Sequence, residues 1–103
     1  MNEVIEKENI KIENLIYEVR GVQVMLDSDL AKLYGTETKR INEAVRRNSK
    51  KFPERFSWIL SREEYYKILR SQIATLELKQ GQYSKFSTRV FTEQGITMLA
   101  TVL

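Results

Sequence analysis

Residues 27–51, DSDLAKLYGTETKRINEAVRRNSKK, carry the pattern that decides the fold. Ala31, Gly35 and Ile41 follow the spacing A-x3-G-x5-I. A small alanine allows a second helix to cross closely, a glycine can end the first helix in the left-handed conformation, and an apolar residue closes the core between them. The spacing predicts a helix-turn-helix with residues 37–51 as its second helix. An ordinary helical hairpin with a solvated basic face is the alternative that the spacing alone leaves open.

The charge distribution favours the first of these two interpretations. Residues 39–55 contain seven Lys or Arg and two Glu, although the whole chain has a net charge of only +3. Residues 1–30 contain seven acidic residues against three basic ones. Positive charge concentrated on one predicted helix and on the residues that follow it is typical of a surface that binds a polyanion. The second helix is therefore predicted to enter the major groove of double-stranded DNA.

The exposed residues of this helix supply the chemistry that base recognition needs. Arginine can bind guanine through two hydrogen bonds, asparagine can do the same for adenine, and glutamate can accept from cytosine. The residues predicted to approach base edges or flanking phosphates are Thr38, Lys39, Asn42, Glu43 and Arg46. Phosphate contacts, which position a protein without reading sequence, are predicted for Arg47, Lys50, Lys51 and Arg55. Arg40, in the same basic segment, completes the predicted DNA-binding set.

The flanking sequence predicts a small single domain of the α+β class. Residues 15–26, LIYEVRGVQVML, predict an N-terminal β-hairpin that turns at Arg20 and Gly21. FSWIL, residues 56–60, and RVFT, residues 89–92, predict short further strands.

Capping residues predict where the helices begin. Asp27 or Ser28 is predicted to cap the first helix of the pair, and Thr36 the second. The predicted apolar stripe of the first helix consists of Leu30, Leu33 and Tyr34.

Two more helices are predicted after the basic segment. Ser61 and Glu64 form a capping-box pattern that opens one of them. Thr92 is predicted to cap the other, an apolar helix over residues 94–103. Residues 1–14 predict an N-terminal arm or a frayed helix.

Residues 77–89 mix basic and aromatic side chains, namely Lys79, Tyr83, Lys85, Phe86 and Arg89. Such a loop could act as a wing over the DNA backbone or stack on exposed bases. The favoured alternative is a partly buried loop with solvated lysines.

The composition excludes several function classes. The chain has no Cys and no His, which removes disulfides, thiolate metal sites and the usual general base. It also lacks Walker glycines, a nucleophile elbow and metal-ligand spacing, so no enzymatic activity, cofactor or metal site is predicted. No apolar run approaches the length of a membrane span. A cytoplasmic protein with no membrane partner is expected.

Five separated phrases agree in order and spacing with those of one domain family. They are VMLD (24–27), DLAKLYGTETKRINEAVRRN (29–48), FPERF (52–56), LRSQIAT (69–75) and FTEQGITML (91–99). On these phrases residues 15–103 resemble the ORF6N domain, which is found in phage-encoded and bacterial proteins and is related to the KilA-N group of DNA-binding domains. The family is usually Gly-rich, with Arg and Tyr, where this chain has ELKQGQYSKFST at residues 77–88.

The resemblance implies a sequence-reading DNA-binding domain of a transcriptional regulator or antirepressor. Residues 39–48 would be its DNA-facing element, followed by variable C-terminal regions. Because an apolar helical pattern runs to Leu103 without a cap, the chain is expected to be a fragment of a longer protein that could bind a protein partner through its missing region. A homodimer is left open. LRSQ (69–72) and FTEQG (91–95) match family phrases whose roles chemistry alone does not assign.

A protein-interaction module is the alternative function. An antirepressor can act by binding a repressor or another regulator, and the acidic N-terminus together with the apolar C-terminal helix could supply that surface.

Overall fold

The computed structural model describes residues 11–72 and 87–103. Within these ranges the chain forms four strands and four α-helices, which confirms the predicted α+β class. The strands are β1 Ile16–Val19, β2 Val22–Leu26, β3 Ser57–Ile59 and β4 Arg89–Phe91. The helices are α1 Asp27–Tyr34, α2 Thr38–Arg47, α3 Arg62–Gln72 and α4 Glu93–Val102.

The four strands form one antiparallel sheet in the order β1-β2-β4-β3. The register pairs Met25 with Phe91, and it places Val90 between Leu26 and Trp58. Because successive side chains of a strand point to opposite faces, Met25 and Phe91 lie on one face and the other three on the opposite face. Both faces of this small sheet are covered.

The helix-turn-helix face is the side of the sheet on which α1, α2 and α4 pack. Its buried cluster joins the sheet to both helices of the pair and to the C-terminal helix. The members are Met25, Leu30, Ala31, Ile41, Ala44, Val45, Phe52, Phe91 and Leu99. Ala31 and Ile41, two of the three residues of the predicted pattern, therefore lie in the same core.

The α3 face is the opposite side of the sheet, on which α3 packs. Its buried cluster consists of Val19, Val24, Leu26, Trp58, Leu60, Ile68 and Val90. The predicted capping box of α3 is confirmed: the Ser61 amide donates to Glu64 Oε1 at 2.9 Å, and the Glu64 amide donates to Ser61 Oγ at 3.2 Å.

The predicted hairpin is confirmed, with Arg20 and Gly21 at its turn. Their φ angles are 56° and 77°. Positive φ at both central residues is the signature of a type I′ turn, whose twist matches that of the flanking strands.

The end of α1 follows the prediction for Gly35, but the prediction for Thr36 is wrong. Gly35 has φ 69° and ψ 36°, in the left-handed region. Its amide donates to the Lys32 carbonyl at 3.2 Å, and the Thr36 amide donates to the Ala31 carbonyl at 2.8 Å. These two bonds form a Schellman motif. Thr36 thus belongs to the end of α1, and Glu37 stands at the start of α2 with no side-chain cap.

The predicted cap and stripe of α1 are also corrected. Asp27 is the first helical residue, and Leu26 stands before it without a capping side chain. Of the predicted apolar stripe, Leu30 is buried, whereas Leu33 and Tyr34 are exposed. An eight-residue helix presents only one narrow face to the sheet, and that face is taken by Leu30 and Ala31.

The second helix is shorter than the predicted range 37–51. It ends at Arg47, and a 3-10 turn, Ser49–Lys51, follows. The backbone leaves helical geometry at Asn48, which has φ −122° and ψ 40°; its Nδ2 donates to the Ala44 carbonyl at 2.8 Å beside the bond from its own amide at 3.1 Å. The helix therefore stops before Pro53 can end it.

The phrase FTEQG acquires a structural role. Thr92 is the N-cap of α4, as predicted, and its Oγ1 accepts from the Gly95 amide at 3.3 Å. The same hydroxyl donates to the carbonyl of Arg55 at 3.0 Å. A Cβ built on Gly95 would overlap the Phe56 carbonyl oxygen. Thr92 and Gly95 thus allow the start of α4 to pack closely against the turn that precedes β3.

Several predictions fall outside the described residues. They are the arm over residues 1–10, most of the loop 77–88 and the last three residues of LRSQIAT. At the edge of the first range, residues Ile12–Leu15 form a 3-10 turn.

Candidate nucleic-acid interface

The buried face of α2 fixes which of its side chains point outward. Ile41, Ala44 and Val45 are buried in the cluster shared with α1 and the sheet. These residues are three and four apart, so they lie on one side of the helix. The other side of α2 is left for solvent or for a partner.

The exposed side of α2 has a centre and two flanks. Lys39, Glu43 and Arg46 follow one another at intervals of four and three residues, so they form a single stripe. Arg40 and Arg47, which are seven residues apart, lie on the flank towards the end of α1. All four basic side chains are exposed, and Glu43 is half-buried.

The remaining predicted cations continue this surface beyond α2. Lys50 and Lys51 are exposed on the 3-10 turn. Arg55 is exposed in the next turn, and its guanidinium lies 5.2 Å from the centroid of the Phe56 ring. Across the described ranges, no carboxylate forms an ion pair with any of the seven cations of residues 39–55. The surface therefore carries uncompensated positive charge.

The side chain of Asn42 is turned towards the domain itself. Asn42 Nδ2 donates to Asp27 Oδ2 at 2.9 Å and to the Thr38 carbonyl at 3.1 Å, while its Oδ1 accepts from Arg89 Nε at 3.3 Å. To bind an adenine edge as predicted, the Asn42 amide would have to break these bonds. Its role as a DNA contact stays a prediction.

The partners of Asn42 belong to a polar network that joins α1, α2 and β4. The Asp27 carboxylate is buried and also accepts from the backbone amides of Ser28 at 2.7 Å and Arg89 at 3.2 Å. The Arg89 guanidinium donates a further bond through Nη1 to Ser57 Oγ at 3.1 Å. Burial lowers the pKa of Arg89, and the neighbouring charge of Asp27 opposes that shift. The network fixes α2 against the sheet.

Two cavities flank the exposed side of α2. One, of about 420 Å³, lies between α2 and the sheet edge and is lined by Asn42, Val45, Arg46, Ser49, Phe52, Ile59, Ser87 and Arg89. The other, of about 400 Å³, is lined by Tyr34, Thr36, Arg40, Glu43, Ala44, Arg47, Asn48, Val102 and Leu103. Each cavity therefore contains two arginines.

Arg89 was not among the predicted DNA-binding residues. Its position as the first residue of a short strand was predicted, and this is confirmed, because Arg89 begins β4. The alternation of β4 contains the signal that could have found it, because Arg89 must share a face with Phe91. That face is the one covered by α2.

The described residues contain neither a metal-binding cluster nor a membrane-spanning helix. No group of three or more acidic side chains lies where it could hold a metal ion, in a chain that has neither Cys nor His. No helix of residues 11–72 and 87–103 has the length and apolar character needed to cross a membrane.

Comparison with known proteins gives one family match. The model of the ORF6N domain matches residues 14–102, nearly the whole chain. No curated protein and no solved structure matches the chain.

Proposed function

The chain belongs to the ORF6N domain family, and on this basis we propose that it is the double-stranded DNA-binding module of a phage-type or bacterial transcriptional regulator or antirepressor. It acts by binding, without catalysis, and inserts α2 into the major groove. The observation that carries the proposal is the row of exposed cations on α2 and on the turns that follow it. None of these cations forms an ion pair with a described carboxylate.

The geometry of α2 supports this docking mode. An α-helix with its side chains is about 10–12 Å across, close to the roughly 12 Å width of the major groove. The central stripe of Lys39, Glu43 and Arg46 would face the base edges. Cations on the flanks and on the 3-10 turn would then meet the phosphates that form the groove walls.

Salt dependence follows from the same picture. If about four phosphates are neutralised, counterion release gives a slope of log K against log[salt] of roughly −3 to −4. Binding that hardly responds to salt would be inconsistent with a surface whose only shared property is charge.

The test is an electrophoretic shift assay with duplexes selected from a random library. The variant Arg46→Glu/Arg47→Glu should lose binding because both changes reverse charge on the exposed side of α2. The matched control Arg62→Glu/Lys67→Glu changes two exposed cations of α3 and should bind like the parent. The proposal fails if the parent enriches no duplex, or if the control loses binding as strongly as the α2 variant.

A protein-interaction module remains the second candidate, and one observation favours it. Leu33 and Tyr34 on α1 are 39% and 43% exposed, and Tyr34 shares a cavity with Leu103. An exposed apolar patch can bind a protein partner. Under this alternative, Leu33→Ser/Tyr34→Ser abolishes capture of a repressor, while Arg46→Glu/Arg47→Glu leaves that capture intact.

A further inference from the structure

The cavity between α2 and the sheet edge contains a cation whose hydrogen bonding is incomplete. A guanidinium has five N–H donors in a planar fork. Arg89 uses its Nε to reach Asn42 Oδ1 and one Nη1 donor to reach Ser57 Oγ. Both partners are neutral, and the remaining three donors have no partner among the described residues.

The nearest acidic group does not compensate the Arg89 side chain directly. Asp27 binds the backbone amide of Arg89 at 3.2 Å, and no described carboxylate forms an ion pair with the guanidinium. The charge of Asp27 opposes the pKa shift of Arg89, but among the described residues no carboxylate is hydrogen-bonded to this half-buried guanidinium, and charges taken out of water favour such a partner. The burial that lowers the pKa of Arg89 reflects the cost of taking its charge out of water.

The surroundings of Arg89 suit a tetrahedral oxyanion. Arg46 lines the same cavity, and so do two residues with hydroxyl side chains, Ser49 and Ser87. The planar guanidinium of an arginine can bind a phosphate through two parallel hydrogen bonds. This pair of bonds is stronger and more directional than a single charged contact. Within the described ranges, the cavity contains no acidic lining residue that would repel an anion.

The position of the cavity points to a particular phosphate. It lies on the flank of α2 opposite to the one occupied by Arg40 and Arg47. A helix that fills the major groove has one DNA strand along each flank. The Arg40 and Arg47 flank would meet one strand, and the cavity with Arg46 and Arg89 would meet the other.

We propose that Arg89, with Arg46 and Ser49, forms a phosphate-binding subsite that holds the backbone of one DNA strand beside α2. This inference rests on the proposed DNA-binding function and adds a residue of the sheet to the contact surface. Arg89 thereby couples the position of the DNA strand to Asn42 and to the orientation of α2.

The first experiment compares salt dependence for the parent, Arg89→Gln and the control Arg62→Gln, an exposed arginine on α3. Each binds a duplex that the parent selects from a random library. Loss of one phosphate contact should reduce the slope by about 0.9, so between 50 and 200 mM salt the affinity of Arg89→Gln should fall about 3.5-fold less than that of the parent. Arg62→Gln should follow the parent.

A second experiment on the DNA separates a lost contact from a damaged fold. Each phosphate of the duplex is replaced in turn by a neutral methylphosphonate. One replacement should weaken the parent but leave Arg89→Gln unaffected, because that variant no longer uses the phosphate. If every replacement weakens both proteins equally, the subsite is wrong even if Arg89→Gln binds poorly throughout.

The outcomes distinguish this inference from the proposed function. Parent binding with an unchanged slope in Arg89→Gln overturns the subsite and leaves the DNA-binding proposal standing. A parent that binds no duplex overturns both. In the latter case, inorganic phosphate is titrated while the Arg89 Nε–H resonance is followed by NMR. A shift that equal ionic strength of chloride does not cause would identify a site for free phosphate instead.

Discussion

The arginines on the two faces of the sheet differ in their hydrogen-bond partners. On the α3 face, exposed Arg20 donates to Glu64 Oε2 at 2.8 Å and lies 4.6 Å from the centroid of the Trp58 ring. On the helix-turn-helix face, half-buried Arg89 binds an amide and a hydroxyl and has no described carboxylate on its guanidinium. The first arginine fastens the hairpin to α3, and its charge is compensated locally. The second leaves positive charge where an external anion can reach it.

The comparison also concerns how each face is held together. The helix-turn-helix face depends on buried or tightly packed groups, namely Gly95 under the Phe56 carbonyl and the carboxylate of Asp27. The α3 face adds an exposed ion pair to its apolar cluster. Substitutions on the first face should therefore cost more stability than the loss of the Arg20–Glu64 pair.

Gly95→Ala should have the largest effect. The added methyl group would overlap the backbone of Phe56, which cannot move aside as a side chain can. We expect a loss of about 3 kcal/mol in the free energy of unfolding, the upper end of typical overpacking costs, measured by urea denaturation. Gln94→Ala, at an exposed position of the same helix, is the control. Equal stability of the two variants would contradict the close seating of α4.

Asp27→Ala should come next. It removes the acceptor for the Asn42 amide and for the backbone amide of Arg89, both in partly buried surroundings. Leaving such donors without an acceptor should lower the free energy of unfolding by about 2 kcal/mol. Asp27→Asn retains one acceptor oxygen and should lie between the parent and Asp27→Ala. An Asp27→Ala protein with the melting temperature of the parent would show that the network does not hold α2.

Gly35→Val should cost about 1–2 kcal/mol, the penalty for an L-residue in the left-handed conformation. A Cβ at this position meets no atom within 4 Å beyond the neighbouring residues of the chain, so the left-handed backbone is the expected source of the cost. Gly35→Asn is the control, since asparagine tolerates this conformation better than a β-branched residue. Thermal melting of both variants tests the prediction, and an unchanged melting temperature in Gly35→Val would refute it.

Glu64→Gln should have the smallest effect, and one that depends on pH. The hydrogen bond from Arg20 is the main reason that the pKa of Glu64 is lowered, followed by that from the Ser61 amide. A lowered folded-state pKa contributes stability above the unfolded value of about 4.3, and this is lost as the pH falls through the folded value. The difference in melting temperature between the parent and Glu64→Gln should therefore be present at pH 7 and shrink in acid.

DNA binding by Glu64→Gln also tests the difference between the two faces of the sheet. Because the Arg20–Glu64 pair lies on the α3 face, Glu64→Gln should bind a selected duplex as the parent does. If Glu64→Gln weakened DNA binding as much as Arg89→Gln does, the proposal that only the helix-turn-helix face contacts DNA would be wrong.

The features that sequence predicted well are set by neighbours along the chain. The left-handed end of α1 at Gly35, the turn at Arg20 and Gly21 and the capping box of Ser61 and Glu64 each depend on a few consecutive residues. Local chemistry determines such features almost alone. The exposure of Lys39, Arg46 and Arg47 on α2 followed in the same way from helical periodicity, whereas that of Asn42 did not.

The features that sequence missed join distant parts of the chain. Asp27 and Arg89 are 62 positions apart, so no local pattern indicates that Asn42 lies between them. The close contact of Gly95 with Phe56 is likewise visible only after folding. The early end of α2 at Arg47 was missed for another reason: Pro53 is the nearest residue whose chemistry bars a helix, and the helix ends before it.

The strand order has a consequence for the order of events during synthesis. β4 lies between β2 and β3, although it follows both of them in the chain and leaves the ribosome after them. Until residue 91 emerges, β3 lacks the only described strand with which it pairs, and Asn42 lacks Arg89. Long-range pairing of this kind slows folding and leaves strand edges open to other chains. The nascent helix-turn-helix can form its local turn early, but it packs on the complete described sheet only after β4 has been made.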